Sequence, residues 1–317
     1  MDYILLFTVL VIVSLIYIKF AKRFNILDNP NARSSHTIPT IHGGGILFYV
    51  ALIIFFILSG LQYYWLILGT TLVAIVSFID DLNPLTPKLR FSFQLIGSVL
   101  LLIEANFGYN LFILFFILIM GIAFINAFNF MDGINAITGF YSSIVLGGFL
   151  YIDIFIIDFI NDKILIFSII SILVFGFYNF RKNALFFAGD IGSVTLAMII
   201  FLAGSLFFKE TNSPTVFLML GVYGVETLLT IIRRYFLGQN ITEAHREHLY
   251  QKIVDNRGVS HVRLSFYYAI LQLLLFIEAL YILTLDLKSQ WLCVLGSFLI
   301  LIFVYVILLR SFSKKLN

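Results

Sequence analysis

The chain has 317 residues and a formal net charge of +3, and 61% of it is hydrophobic against 12% charged, about half the ~25% charged share of an average soluble domain. That composition excludes a water-soluble globule. The 36 Phe and 16 Tyr are spread from one end to the other, so no polar half is left for a separate soluble domain. Residues 1–317 read as one membrane-embedded unit with no nucleic-acid partner.

A spanning helix needs about 20 mostly apolar residues. Apolar runs predict helices at 3–20, 45–60, 62–79, 91–105, 109–126, 136–152, 163–180, 191–208, 214–237, 265–284 and 290–309. The predicted fold is therefore all-α, a polytopic membrane bundle of ten or eleven spans. The first run lacks a basic leader and a small-residue cleavage site, and Lys19, Lys22 and Arg23 follow it, so it reads as a retained helix. The single cysteine, Cys293, excludes a disulfide framework and a thiolate metal cluster.

Basic residues set the expected orientation. With the C-terminus cytoplasmic and the N-terminus outside, 17 of the 20 basic residues lie inside, leaving Lys163, Lys209 and Lys288 on the outer loops. All five histidines, Asp80, Asp81, Asn126, Asn129, Asp132 and Asp190 then fall on the same inner face. Short acidic outer loops contrast with long polar inner ones, so the inner face has the composition of an active site.

Five inner loops carry the chemistry. In the first, Arg33 and His36 precede Gly43-Gly44-Gly45 and a helix. Bare backbone N–H groups there suit an anion, although glycines also serve close helix packing. In the second, Asp80-Asp81 ends a span before Pro84, with Lys88 and Arg90 following. A divalent cation or these bases could offset the repulsion of adjacent carboxylates. In the third, Asn126, Asn129 and Asp132 recur at i, i+3 and i+6, along one helical face, which suits oxygen ligation of a hard metal or contact with a nucleobase. The fourth places Asp190 between Gly189 and Gly192 at the start of a span, and the fifth carries His245, Arg246 and His248. Zinc lacks further ligands near that histidine pair, so phosphate recognition is the better use of Arg246 and His248. Together the loops describe a Mg2+-dependent phosphate-handling site facing the cytoplasm.

The order of these motifs, from Asp80-Asp81 through Gln94, Asn126 to Gly133 and Phe187 to Ser193, resembles the polyprenyl-phosphate N-acetylhexosamine-1-phosphate transferases, the glycosyltransferase family 4 enzymes of MraY, WecA and TagO type. The resemblance covers about residues 30–255. It implies a bacterial inner-membrane enzyme in which undecaprenyl phosphate attacks the β-phosphorus of a UDP-N-acetylhexosamine, giving lipid-pyrophosphate-sugar and UMP. By similarity Asn129 and Asp190 hold Mg2+, with Mn2+ as a substitute, while Asn126 and Asp132 shape the nucleotide pocket. Asp80 and Asp81 stand beside the attacking phosphate with His248 among the catalytic groups, and Arg90 falls where relatives often carry a catalytic lysine. Arg33, His36, Gly44, Asn135, His245 and Arg246 complete the expected substrate contacts. A homodimer is left open.

Two departures narrow the expectation. The His-x-His-His cluster of many relatives is here His248 followed by Tyr250 and Gln251, with His245 upstream, a pattern more like the enzymes that start O-antigen or capsule repeats. Asn135 stands where the peptidoglycan branch has an acid. Both favour UDP-GlcNAc, or a deoxy relative such as UDP-FucNAc or UDP-QuiNAc, over a muramyl-pentapeptide. The competing readings are a secondary transporter and an intramembrane aspartyl protease. The first expects midplane acids on broken helices and internal repeats, yet away from the ends of the spans the acids are only Glu226 and Glu278. The second keeps both its aspartates within the bilayer, whereas here the candidate partners of Asp190 end spans at the surface.

Overall fold

A computed structural model of the chain describes residues 2–30, 35–108, 110–240 and 245–313. Thirteen helices are found among them: α1 (Asp2–Arg23), α2 (Ile46–Leu58), α3 (Tyr64–Leu82), α4 (Pro87–Ala105), α5 (Leu111–Met131), α6 (Ile137–Phe155), α7 (Asp162–Asn179), α8 (Gly189–Thr211), α9 (Thr215–Met219), α10 (Gly221–Phe236), α11 (Leu249–Arg257), α12 (His261–Ile282) and α13 (Leu287–Ser313). Every apolar run of the sequence is helical. Eight of these helices are long and apolar enough to cross a membrane: α1, α3, α5, α6, α7, α8, α12 and α13. Three runs fall short of the expected eleven spans by that measure. The α2 helix has 13 residues, α10 has 16, and α4 carries Lys88, Arg90 and Glu104.

Local sequence sets the helix starts. Thr86 caps α4 by accepting from the Leu89 N–H, with Pro87 in the first turn, where its missing N–H costs nothing. Asn110 and Asn161 cap α5 and α7 in the same way. On the expected outer side, the Glu104 carboxylate accepts the Trp65 and Leu66 N–H groups and so caps α3 from a neighbouring helix.

The ninth apolar run is interrupted. Between α9 and α10 the helix breaks at Leu220, and the Gln272 side chain of α12 takes over the freed backbone groups. Its amide donates to Leu218 O and Met219 O, each at 2.9 Å, and its carbonyl accepts the Val222 N–H at 3.3 Å. A break inside an apolar bundle is tolerated only where such groups are satisfied again. Gln272 is itself fully buried, so the break is a packed joint.

At the centre runs α8, 89% of whose core stretch is buried, with α2, α3, α4, α5 and α6 packed around it. Glycines permit the tightest approach. A Cβ on Gly45 would lie 2.7 Å from Ala188 O and would collide with Gly192 Cα. Among the described residues the only strands are a two-residue antiparallel ladder in the first inner loop, β1 (Leu27–Asp28) against β2 (Thr40–Ile41). Ile41 also bridges to Phe186, which ties the first inner loop to the fourth.

Candidate active site at one end of the bundle

The C-terminal ends of α3 and α5 and the N-terminal ends of α2, α6, α8, α11 and α12 meet at the end of the bundle that holds the five inner loops. A polar cavity of about 570 Å³ opens there, within the range of ordinary small-ligand sites. Its wall is built from Asp28, Ser35, His36 and His42 of the first loop, Asp81 of α3, Asp132 to Asn135 beyond α5, Asn179, Phe187 to Asp190, His245, Gln251 and His261. Six of the side chains expected from sequence line it: His36, Asp81, Asp132, Asn135, Asp190 and His245.

Asp81 is the hub. Its Oδ1 lies 3.0 Å from His42 Nε2, and its Oδ2 accepts the backbone N–H of Asp190 at 3.0 Å. Gly189 makes this possible at φ +70, with no side chain to displace the Asp81 carboxylate. Burial works against a charged His42, but the hydrogen bond and charge of Asp81, helped by Asp190 and Asp28, push its imidazole up to about 9. Asp81 thus favours the protonated form of His42.

Its partner carboxylate Asp80 faces elsewhere. Oδ2 pairs with Arg90 Nη1 at 2.9 Å and Oδ1 accepts the Leu85 N–H at 2.6 Å. Asp80 and Arg90 thereby lock the turn into α4 and are absent from the cavity wall. Asn126 is committed as well: its amide exchanges hydrogen bonds with Gln94 at 2.8 and 3.2 Å and donates to Ile122 O. It joins α5 to α4 and does not reach the cavity.

The expected metal ligands face one another across α5 and α8. Asn129 Nδ2 lies 3.3 Å from Ser193 Oγ, and the Ser193 hydroxyl donates to Asp190 O at 3.2 Å, so Asn129 and Asp190 are joined through Ser193. Just beyond α5, burial pushes the Asp132 carboxyl up to about 6, with the charge of His42 opposing that rise. Asp81, Asp132 and Asp190 line the cavity, but among the described residues no three acidic or histidine groups stand close enough together to hold a metal by themselves. The candidate cation ligands are therefore the Asp190 carboxylate and the neighbouring Asn129 amide oxygen, completed by oxygens of a phosphate-bearing substrate. Hard oxygen donors of this kind are the ones a Mg2+-type cation takes, usually beside substrate phosphates.

Several expectations are corrected. Gly44 offers no N–H to an anion, because that group donates to Phe187 O at 2.8 Å and Gly45 N–H donates to Ala188 O at 2.9 Å. The glycines serve close packing. Arg246 grips Asp255 with two hydrogen bonds, at 2.6 and 2.8 Å, and is off the cavity wall. The His248 side chain is 2% exposed, with both ring nitrogens buried and unpartnered. Burial, then the charges of nearby basic groups, push it down to about 3, so it is a neutral ring stacked 4.9 Å from His245. His245, at the cavity wall, is likewise pushed down to about 4 by burial and by Arg234. Burial thus disfavours the charged form of both rings. Asn135 donates to Arg181 O and Lys182 O at 2.9 and 3.1 Å, which spends both its N–H groups on the backbone. Arg33 lies outside the described residues.

Sequence reasoning missed His42, Asp28, Gln251 and His261 as wall residues. His42 carried a signal, since it stands directly before Gly43-Gly44-Gly45 in a loop already singled out. His261 opens α12, and its Nδ1 is buried without a partner.

The chain matches the model described as glycosyl transferase family 4 over residues 63–207, the stretch running from α3 to α8. It is 25% identical over 331 aligned residues to the probable undecaprenyl-phosphate N-acetylglucosaminyl 1-phosphate transferase of Bacillus subtilis, covering 95% of this chain and 88% of that relative. It is 26% identical over 266 residues to the undecaprenyl-phosphate alpha-N-acetylglucosaminyl 1-phosphate transferase of Thermotoga maritima, covering 78% of this chain and 80% of that protein.

Proposed function

We propose that this chain, a member of glycosyl transferase family 4, is a multi-pass membrane transferase that moves a sugar 1-phosphate from a UDP-sugar to undecaprenyl phosphate. For the donor we propose UDP-N-acetylglucosamine, the sugar named in both relatives. The observation that carries the reading is the cavity walled by Asp81, Asp132 and Asp190 with His42 among them. Its charge and volume suit a phosphate-bearing substrate brought in with a divalent cation.

In the reaction an oxygen of the lipid phosphate attacks the β-phosphorus of the UDP-sugar. A new P–O bond forms, the bond from that phosphorus to the oxygen bridging to UMP breaks, and UMP leaves with the electron pair. Asp190 and Asn129 are the proposed ligands of Mg2+, which when bound offsets the charge that builds on the diphosphate. Asp81 is clamped between His42 and the Asp190 N–H, so the part of the wall beside the lipid phosphate is held rigid. A phosphate monoester loses its second proton near pH 6, so it needs no strong base. Asp80 contributes through Arg90 and Leu85, by holding the turn that fixes the end of α3. The proposed placement is a bacterial cytoplasmic membrane with this cavity facing inward, where UDP-sugars are found.

UMP release by the full-length protein in detergent tests the reading, with Mg2+, undecaprenyl phosphate and, separately, UDP-GlcNAc, UDP-GalNAc and UDP-FucNAc, beside an Asp81→Asn control. Lipid-dependent release from UDP-GlcNAc that the control loses is expected. Release from another donor alone would move the sugar assignment, and no release from any would overturn the transfer reading.

A further inference from the structure

We propose that Glu226, a buried carboxylate on α10 outside the cavity, is the positioning residue that docks the last inner loop onto the donor pocket. The inference rests on the transferase reading only for what the pocket binds.

Glu226 is 3% exposed, in a helix whose neighbours are apolar. An acid there is costly unless its oxygens are well satisfied, and a well-packed apolar residue often stabilises such a position more. Its contacts show what it does instead. One oxygen accepts the backbone N–H of Tyr250 in the first turn of α11 at 3.0 Å, where a carboxylate also complements the helix dipole. The other accepts the hydroxyl of Tyr268 on α12. His248, the residue before α11, has Nδ1 3.9 Å from the same carboxylate. One side chain thus gathers α10, α11 and α12.

The chain of contact continues to the site. The Tyr250 ring is fully buried and its hydroxyl donates to Phe130 O at 3.1 Å. Phe130 lies between Asn129 and Asp132. A Cβ on Gly133 would collide with that hydroxyl, so the turn carrying Asp132 is fitted to Tyr250. Glu226 fixes the height of α11, α11 fixes Tyr250, and Tyr250 supports the turn from which Asp132 enters the cavity. Gln251 and His245, on either side of His248, are wall residues placed by the same docking.

The test uses the full-length protein in nanodiscs. Steady-state kinetics with UDP-GlcNAc and undecaprenyl phosphate are measured for Glu226→Leu, Glu226→Gln and Tyr250→Phe, with tryptic cleavage after Arg246, Lys252 and Arg257 as a second readout. Glu226→Leu is expected to raise the donor KM about tenfold, leave the lipid KM within about twofold, and speed cleavage. Glu226→Gln, which keeps an acceptor for the Tyr250 N–H, should recover most of the donor KM. Combining Glu226→Leu with Tyr250→Phe should add little to the worse single variant, because both act through one element. Wild-type donor KM and protease resistance in Glu226→Leu would overturn the proposal, as would donor and lipid KM rising together. Should Glu226→Leu fail to fold, Tyr268→Phe takes its place: a donor KM raised about twofold or more supports the docking role, and an unchanged one rejects it. If the wild-type protein turns over no UDP-sugar, the transferase reading fails by itself, while the cleavage contrast between variants still decides whether Glu226 docks α11.

Discussion

His42 Nε2 stands 3.0 Å from Asp81 Oδ1 while the Asp190 N–H donates to the other oxygen of that carboxylate at 3.0 Å. One side chain on α3 therefore joins the first and fourth inner loops, which the bridge between Ile41 and Phe186 also brings together.

This pairing predicts a pH dependence. His42 titrates at about 9 in the folded protein and near 6.5 when unfolded, so the folded state holds the extra proton. Its stabilising contribution is full below pH 6.5 and fades as pH rises through 9. The thermal midpoint of the wild-type protein in detergent is expected to fall between pH 7 and pH 9.5 more steeply than that of His42→Gln. Parallel slopes for the two proteins would show that Asp81 does not hold His42 protonated.

Asp190→Asn separates chemistry from folding. The substitution conserves volume and keeps the backbone N–H that Asp81 accepts, so the thermal midpoint should move by only a few degrees. Removing a carboxylate from the proposed cation site should lower kcat by about a hundredfold or more at saturating Mg2+. Wild-type turnover across a Mg2+ titration would take Asp190 out of the cation site.

The glycine contact between α2 and α8 predicts the opposite pattern, a loss of stability. A methyl group on Gly45 would collide with Gly192 Cα and lie 2.7 Å from Ala188 O. These are backbone atoms of the central helix α8 and of the residue that precedes it, so α2 must move away. Gly45→Ala should cost about 1–3 kcal/mol, as overpacking does, read as a lower unfolding midpoint. A variant as stable as the wild type would mean that α2 and α8 can separate freely.

Much of the architecture was legible because membrane helices are written as apolar runs, and all eleven runs are helical. The break at Leu220 was not. Residues 214–237 read as one apolar stretch, and Gln272, which satisfies the broken ends, lies about 50 residues further on. The site shows the same division. Asp81, Asp132 and Asp190 could be picked out because carboxylates at the ends of apolar runs need a purpose. What each one faces could not. Asp80 and Asp81 are neighbours in sequence, yet one pairs with Arg90 and the other with His42, since successive helical positions point about 100° apart. Arg246 looked free to read phosphate until folding brought Asp255 within 2.6 Å.

Asn135 gives the sharpest contrast between a reading from sequence and one from structure. Its position, where the peptidoglycan branch of the resembled family has an acid, suggested a contact that chooses the substrate. In the structure its amide donates to Arg181 O and Lys182 O at 2.9 and 3.1 Å, while its own backbone carbonyl accepts the Ser265 hydroxyl at 2.8 Å. Asn135 therefore ties the turn beyond α5 to the chain leaving α7 and to α12. Asn135→Asp would remove both donors and set a carboxylate against two carbonyl oxygens, a loss of about 2–4 kcal/mol from broken and unsatisfied buried bonds. Lowering the pH would protonate that carboxylate and restore one donor, so the variant's deficit in thermal midpoint should shrink on going from pH 8 to pH 5. A residue that only selects the donor would instead leave the midpoint untouched and change which UDP-sugar releases UMP. Measuring both quantities on the same variant tells the two roles apart.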